Sequence, residues 1–375
     1  MMKRLIDYIT LSMAGSGLLL LVACDAEQVT QDSPASRVPI EVYLNADSGV
    51  SPYSTEAGTN AFLLFWDENG YNTWVSEDDA SATPAFTCTQ TGTIDDYTYE
   101  SGVAYQVPHE YLPNNAYYYA AGYAPAGALT PSADYTTLTV DGDYQDGTAD
   151  FLSCDAKKAH RGSATDRFIK EEHELQFRHL TARIRFVGVR EEVMWGKMGV
   201  NNVRITLGES NGLCVPTEFQ KKVNGDATNP QSTYIASEMS EPQSLTIDGT
   251  SEYIPATNDG LTLGSCYVLY AELPDGYDPF ADPNETNGSI NLTFNIEADL
   301  SYVMGAGEYI EYRTAKWTGQ TVIIQSNTGD TLYPGYEYVV EVTFKNESIS
   351  LQGIQKKWEN GGTHYLPITP PSDGQ

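Results

Sequence analysis

The chain has 375 residues, 41% hydrophobic and 19% charged, with 21 Lys and Arg against 51 Asp and Glu. This length indicates about two domains, and the apolar content excludes disorder throughout the chain. The net charge of −30 argues against nucleic acid and against electrostatic docking on an anionic membrane, because both need a basic face. The 26 Tyr and 32 Gly residues favour an exported, β-rich protein.

The N-terminus has the layout of an export signal. Lys3 and Arg4 precede an apolar run over residues 9–23, and polar residues follow directly after Cys24. This pattern is typical of a secretory signal peptide, and the run is too short for a membrane span. The letters LVAC, ending at Cys24, also resemble the lipobox of bacterial lipoproteins. We therefore expect the signal peptide to be cut off just before Cys24 and the Cys24 thiol to be acylated. The alternative is an ordinary cleaved signal peptide.

The segment after the signal indicates how the protein is anchored. Removing residues 1–23 takes away two basic residues and one acidic residue. The mature chain then has 19 Lys and Arg against 50 Asp and Glu, a net charge of −31. Residues 24–37 are polar and contain Pro, so they predict a lipidated, flexible tether. Several acyl chains give stable anchoring without a spanning helix. We expect a protein exposed on the cell outer membrane.

Four cysteines remain in the predicted mature chain besides the lipidated one. Cys88, Cys154, Cys214 and Cys266 show no close ligand spacing, so no metal site is expected. They can form disulfides in three pairings, or they can stay reduced and buried, and the sequence leaves both states open.

From Val38 onward, short runs of β-branched and aromatic residues alternate with turn residues. Leu292, Phe294 and Ile296 interleave with polar residues, the period-two pattern of a half-buried strand. The sequence therefore predicts two β-sandwiches, split in the charged stretch 155–174 into residues 38–165 and 166–375. The predicted strands are 38–44, 61–66, 85–89, 116–124, 136–140, 149–153, 175–177, 181–189, 202–207, 244–247, 266–272, 290–297, 308–314, 321–325, 336–344 and 348–355.

Patterns that suggest catalysis are weak. Residues 208–212 match G-x-S-x-G, but Pro216 follows where the nucleophile elbow needs a helix, so a turn is predicted. The acidic run 141–147 resembles a calcium loop, except that its Gly falls one place late and its last ligand position is Leu152. His173 and His179 have no ligand at metal spacing. We predict neither enzymatic activity nor a cofactor.

Aromatic residues support a different function class. Tyr117, Tyr118 and Tyr119, together with Trp66, Trp74 and Trp358, could stack against sugar rings. Aromatic residues on strands serve more often in packing across strands. A surface glycan-binding lipoprotein of a nutrient-uptake system is therefore the alternative function.

Several stretches carry a family resemblance when they are taken in order. They are LVAC at 21–24, ADFL at 149–152, LQFRHLTARI at 175–184, LYPGYEYVVEVTF at 332–344 and WENGG at 358–362. Together they resemble the fimbrillin family, the subunits of type V pili that gut and oral anaerobes make as lipoproteins. The resemblance implies two tandem transthyretin-like β-sandwich domains, with other fimbrial subunits and a host or bacterial adhesion ligand as partners.

The resemblance also implies assembly by donor-strand exchange. In such subunits a trypsin-like protease cuts after a basic residue near the N-terminus, and a strand from the next subunit fills the freed groove. The candidate cut lies between Arg37 and Val38, and the next basic residues are Lys157, Lys158 and Arg161. We expect a non-enzymatic fimbrial subunit, anchored through Cys24 and supporting cell adhesion.

Two departures from the family pattern leave the subunit's role open. The tether has Val29 as its one large apolar residue, so 38–44 can itself be the first strand of an uncut subunit. An anchor or accessory role then fits the sequence about as well as a place in the fibre shaft does. The C-terminal tail carries Pro367, Pro370 and Pro371, which remove ladder donors and limit strand donation.

Overall fold

A computed structural model gives the fold of most of the chain after Arg37. It describes residues 38–42, 44–46, 61–67, 87–88, 105–111, 117–160, 162, 166, 175–191, 197–224, 231–249, 254, 260–304, 308–345 and 348–357. These residues form β-strands joined by turns and short 3-10 helices, so the all-β prediction is confirmed. None of the described segments contains a helix long and apolar enough to cross a membrane.

The strands are numbered in chain order. They are β1 (Val38–Val42), β2 (Leu44–Ala46), β3 (Ala61–Asp67), β4 (Thr87–Cys88), β5 (Tyr105–Tyr111), β6 (Tyr118–Ala124), β7 (Leu129–Pro131), β8 (Thr137–Val140), β9 (Leu152–Ala159), β10 (Leu175–His179), β11 (Ala182–Arg190), β12 (Lys197–Leu207), β13 (Pro216–Asn224), β14 (Gln231–Met239), β15 (Leu245–Asp248), β16 (Leu261–Val268), β17 (Gly288–Met304), β18 (Glu308–Ser326), β19 (Tyr336–Phe344) and β20 (Ile349–Lys357).

The first sandwich packs a six-stranded sheet against a four-stranded sheet. Their orders are β2-β10-β9-β6-β3-β4 and β14-β13-β8-β7, and β1 pairs separately with β5. Aromatic rings fill the space between the sheets: Tyr123 meets Tyr234 edge-on at 6.3 Å, and Phe151 meets Phe219 at 5.3 Å. Such contacts add to the burial of the rings themselves.

The second sandwich is one eight-stranded sheet folded over on itself, in the order β15-β12-β17-β18-β20-β19-β11-β16. Phe186 of β11 meets Phe294 of β17 at 5.1 Å across the fold, and both rings are buried. The two ends of the sheet approach each other at Gly249, where a Cβ atom would collide with the carbonyl oxygens of Val203 and Leu263. Glycine is needed there because no side chain fits.

Every predicted strand overlaps an observed strand, and 308–314 and 321–325 prove to be parts of the single strand β18. The sequence analysis missed β5, β7, β13 and β14. Strand β10 and the hairpin β13–β14 follow the predicted boundary stretch, yet they pair with β9 and β8, which precede its end. The two halves of the chain therefore share strands, and the division near residue 165 stays a prediction.

Candidate assembly site

The chain enters the fold immediately after the predicted cleavage point. Cys24 and Arg37 lie outside the described residues, and Val38 is the first residue of β1. Strand β1 runs antiparallel to β5, with Val38 opposite Tyr111. The pairing is irregular between Pro39 and Glu41, as expected for a strand that contains Pro.

The next strand, β2, lies at the edge of the six-stranded sheet. It pairs in parallel with β10 through three residue pairs, from Leu44 opposite Leu175 to Ala46 opposite Phe177. Leu175 and Phe177 are buried on β10. Three parallel pairs are a short attachment, and loss of β2 would leave the backbone edge of β10 open to another strand.

The order of these elements bears on the predicted cut. Cleavage between Arg37 and Val38 would release the tether and leave both β1 and β2 attached to the fold. Freeing the edge of β10 then requires the displacement of β2 as well.

The alternative basic residues are placed differently. Lys157 and Lys158 belong to β9, where they lie opposite Ala120 and Tyr119 of β6 in an antiparallel ladder. Proteases cut exposed loops far more readily than paired strands, which disfavours these two positions. Arg161 lies outside the described residues.

Two of the stretches that carry the family resemblance meet at the end of the first sandwich. Nδ1 of His179 lies 2.9 Å from Oδ1 of Asp150, and the His179 side chain is 1% exposed. Beside this pair, the backbone N–H of Leu180 donates to the carbonyl of Phe151 at 2.8 Å. The pair joins two strand ends inside the fold, and this placement accounts for His179 without a metal or a catalytic role.

The third stretch joins the same region. The backbone N–H of Gly335 donates to the carbonyl of Thr181 at 2.9 Å, and Gly335 has a φ of +77°, which Gly adopts without strain. From this point β19 runs parallel to β11, with Arg183 opposite Glu337. Segments far apart in sequence therefore converge on one junction between the sandwiches.

A buried ion cluster lies beside this junction. Arg185 holds Glu337 with two hydrogen bonds, of 2.7 Å from Nε and 2.9 Å from Nη2, and Nη1 of Arg183 lies 3.3 Å from the same carboxylate. Burial alone would raise the pKa of Glu337, but Arg185, then Arg183 and Lys356, together hold it below its ordinary value. The carboxylate therefore stays ionised and fixes β19 against β11.

A second link crosses from the first sandwich to the loop after β16. Arg178 donates from Nη2 to Asp155 at 2.6 Å and from Nη1 to the carbonyl of Pro279 at 2.7 Å. Nζ of Lys222 donates to the carbonyl of Tyr277 at 3.3 Å. These contacts orient the two sandwiches relative to each other, and sequence reasoning gave no signal for them.

The patterns that could suggest chemistry form ordinary turns. Residues 209–211 are a 3-10 turn that ends at Gly212 in the left-handed region, so the predicted turn is confirmed. In the acidic run, Asp141 accepts from the N–H of Asp143 and Asp146 from that of Thr148. Within the described part of the chain, no three His, Cys, Asp or Glu side chains group closely enough to hold a metal ion.

Three of the cysteines are described with their side chains. Cys154, Cys214 and Cys266 are buried free thiols. Burial raises the pKa of all three thiols, that of Cys266 to about 12, so they are poor nucleophiles. The sequence allowed these cysteines to be either reduced or paired in disulfides, and these three are reduced. The side chain of Cys88 is not among the described ones.

Three of the six aromatic residues considered for sugar binding have described side chains, and two of these three are buried. Tyr118 and Tyr119 are buried, whereas Tyr117 is 39% exposed. Nζ of Lys158 lies 5.3 Å from the centre of the Tyr117 ring, and His160 meets the same ring edge-on at 5.0 Å. The side chains of Trp66, Trp74 and Trp358 lie outside the described part.

Comparison with solved structures finds neighbours of low sequence identity that are covered almost over their whole length. A fimbrial protein from Bacteroides vulgatus is 14% identical, with 86% of this chain and 100% of that chain covered and a TM-score of 0.42. A protein from Bacteroides uniformis assigned to cell adhesion is 13% identical, over 86% and 98%, with a TM-score of 0.40. The tip fimbrial protein Mfa3 from Porphyromonas gingivalis is 10% identical, over 85% and 100%, with a TM-score of 0.35.

No protein-family model matches the chain. No curated protein sequence matches it either.

Proposed function

We propose that this protein is a surface lipoprotein of a fimbria, a subunit or anchor that assembles by β-strand exchange and supports adhesion without catalysis. The support is the ordered set of motifs in the sequence and their convergence on one junction between the sandwiches. The lipid on Cys24 would hold the subunit on the outer membrane. The tether of residues 24–37 would reach at most about 50 Å from the lipid.

The observation that carries the proposal is the short pairing of β2 with β10, in the second strand after the predicted cut. A donor strand from the next subunit would replace β2 and pair with β10. The ladder of backbone bonds supplies affinity in such an exchange, and alternate side chains supply register. An edge strand that is otherwise an aggregation hazard becomes the assembly site.

The first test is intact mass and N-terminal sequencing of protein sheared from the native cell surface. A chain that begins at Val38 would mean that the cut is made and the subunit polymerises. An acylated Cys24 on the sheared protein would mean that the anchor is retained and that the protein serves as a base or accessory subunit.

Variants separate the steps of this proposal. We expect Arg37→Ala to leave the lipidated precursor intact and to abolish ladders that resist mild detergent. Lys158→Ala is the matched control, because that residue lies in a paired strand. Unchanged fibres in Arg37→Ala would refute the cut, and continued acyl labelling of Cys24→Ala would refute the lipid anchor.

Among the three tyrosines considered for sugar binding, Tyr117 alone is exposed, and this exposure favours the glycan-binding alternative. Calorimetric titration with oligosaccharides decides between the two functions. Saturable binding that Tyr117→Ala abolishes, in a protein that forms no ladders, would replace the fimbrial proposal.

A further inference from the structure

Strand β2 covers only the first part of the edge of β10. It pairs with the residues from Leu175 to Phe177, whereas β9 pairs with those from Phe177 to His179. In the described ladders, Leu175 and Gln176 therefore have β2 as their only strand partner. Once β2 is displaced, β10 keeps three residue pairs with β9, and a further contact is needed to hold so short a ladder.

The two faces of β10 are covered differently. Leu175 and Phe177 are buried on one face, and Arg178 points to the other, because side chains alternate along a strand. On the face of Arg178, the edge strand β14 of the four-stranded sheet lies over β9, where the hydroxyls of Ser153 and Thr233 meet at 2.6 Å. The four-stranded sheet ends there, so the cover of β10 on this face comes from another part of the chain.

A loop of the second sandwich supplies this cover. It comprises residues 274–282, between β16 and β17, and we call it the clasp loop. Arg178 donates from Nη1 to the carbonyl of Pro279 in the clasp loop at 2.7 Å, and from Nη2 to Asp155 of β9 at 2.6 Å. One side chain therefore ties β10 both to its neighbouring strand and to the second sandwich.

The clasp loop is anchored on both of its sides. Nζ of Lys222 on β13 donates to the carbonyl of Tyr277 at 3.3 Å. The ring of Tyr277 meets that of Tyr333 at 5.1 Å, and Tyr333 meets Tyr336 at 5.5 Å. Because Tyr336 is the first residue of β19, the loop is packed onto the eight-stranded sheet.

A turn inside the clasp loop presents the carbonyl that Arg178 binds. Oδ1 of Asp278 accepts from the backbone N–H of Phe280 at 3.0 Å, so that the carboxylate spans Pro279. Side-chain bonds of this kind stabilise turns. Removing the Asp278 carboxylate loosens the turn without altering any residue of β10.

We infer that Arg178 and the clasp loop hold β10 in place after β2 is displaced, so that the second sandwich keeps the acceptor edge in shape for a donor strand. The inference rests on the strand exchange proposed above and adds the contact that maintains the acceptor. An edge that is already ordered costs less to pair, so this hold favours capture of the donor. The link acts in both directions, and loss of the Arg178 side chain should also loosen the clasp loop.

The test is amide hydrogen exchange in the full chain, which carries Cys24→Ser so that it is not lipidated. Asn45→Pro disturbs the pairing of β2 and should speed exchange at residues 175–176. Residues 178–179 pair with β9 and should stay protected in this chain. Adding Arg178→Ala should then speed exchange at residues 178–179 by about tenfold or more, because two hydrogen bonds of a charged group are lost.

The loop side of the link is tested by a second pair of variants. In the Asn45→Pro chain, Asp278→Ala should also speed exchange at residues 178–179, whereas Asp278→Asn keeps an acceptor in the turn and should preserve the protection. Arg204→Ala is the matched control for Arg178→Ala, because it removes another Arg–Asp ion pair, an exposed one on β12. It should leave exchange at residues 178–179 unchanged.

The outcomes separate this inference from the proposed function. The inference alone is overturned if Asn45→Pro by itself removes the protection of residues 178–179, or if Arg178→Ala has no more effect than Arg204→Ala. It is also overturned if Asp278→Ala has no effect, because the hold then lies within the first sandwich. If Asn45→Pro does not speed exchange at residues 175–176, β2 does not protect β10, and the proposed exchange at this edge falls together with the inference.

Discussion

The eight-stranded sheet and the six-stranded sheet differ in the strands that hold them together. The eight-stranded sheet is built around β17 and β18, which are 17 and 19 residues long and pair along their full length. The six-stranded sheet ends in β2 and β4, of three and two residues. Because local stability follows the number of buried contacts and paired residues, we infer a rigid second sandwich and an exchangeable edge on the first.

The largest effect should come from the core of the eight-stranded sheet. Phe186→Ala removes a buried ring packed on Phe294 and should lower the free energy of unfolding by about 3–5 kcal/mol, measured by urea denaturation. Ile323→Ala on the exposed face is the control and should cost less than about 0.5 kcal/mol. Equal costs at the two positions would contradict the comparison.

The second largest loss of unfolding free energy should come from the ion cluster beside the junction. Glu337→Gln takes the carboxylate away from the buried Arg183 and the partly buried Arg185, and should cost about 3 kcal/mol at pH 7. Glu297→Gln, which breaks the exposed pair with Lys316, should cost under about 1 kcal/mol.

The same cluster predicts a pH dependence. The pKa of Glu337 in the folded protein lies below its ordinary 4.5, so its stabilisation is present above that pH and is lost as the pH falls through the folded-state pKa. Urea denaturation between pH 3 and pH 7 checks this, at roughly half-unit steps. Glu337→Gln should flatten the acid limb of the stability curve, and an unchanged limb would count against the assignment.

A buried hydroxyl should have a smaller effect. The Tyr338 hydroxyl accepts from the backbone N–H of Tyr333 at 3.0 Å and lies 3.2 Å from Nε2 of Gln355. Tyr338→Phe leaves these donors buried without that acceptor and should cost about 1–3 kcal/mol in thermal or urea unfolding. Tyr144→Phe, at an exposed position, should be neutral.

A change in β2 should have the smallest effect on the free energy of global unfolding, but a clear effect on amide exchange in the neighbouring strand β10. Asn45→Pro puts a residue that fits strands poorly at the centre of the three-residue pairing of β2 with β10, and should cost less than about 1 kcal/mol in global unfolding. Amide hydrogen exchange at Leu175–Phe177 on β10 should nevertheless speed up, because the edge opens more often. Asn45→Ala keeps the backbone N–H and is the control; equal exchange in both variants would mean that β2 does not protect β10.

Strand positions were predictable wherever one face is buried and the other is wet. Leu292, Phe294 and Ile296 of β17 alternate with exposed residues, as the sequence pattern indicated. The hairpin β13–β14 was not predicted, because it is rich in polar residues such as Lys221 and Lys222. Its pairing with β8 and its packing on β9 depend on residues about eighty positions away, which no local window contains.

The candidate site was only partly visible in the sequence. The motifs around Asp150, His179 and Gly335 were recognised, but their meeting point depends on tertiary contacts. The pairing of β2 with β10 has no sequence signature, since it depends on which strands become neighbours. Lipidation at Cys24 and cleavage at Arg37 remain predictions.

By itself the sequence determined the acidity of the protein, its strand-rich composition and the alternation that buries one face of strands such as β17. These properties follow from the composition and the hydrophobic period of short stretches of sequence, which can be read without knowing the tertiary contacts. Only the tertiary structure decided which strand ends meet, which edges stay open and which charges are buried. Those properties follow from long-range pairing, in which Glu337 finds Arg185 across more than 150 residues of chain.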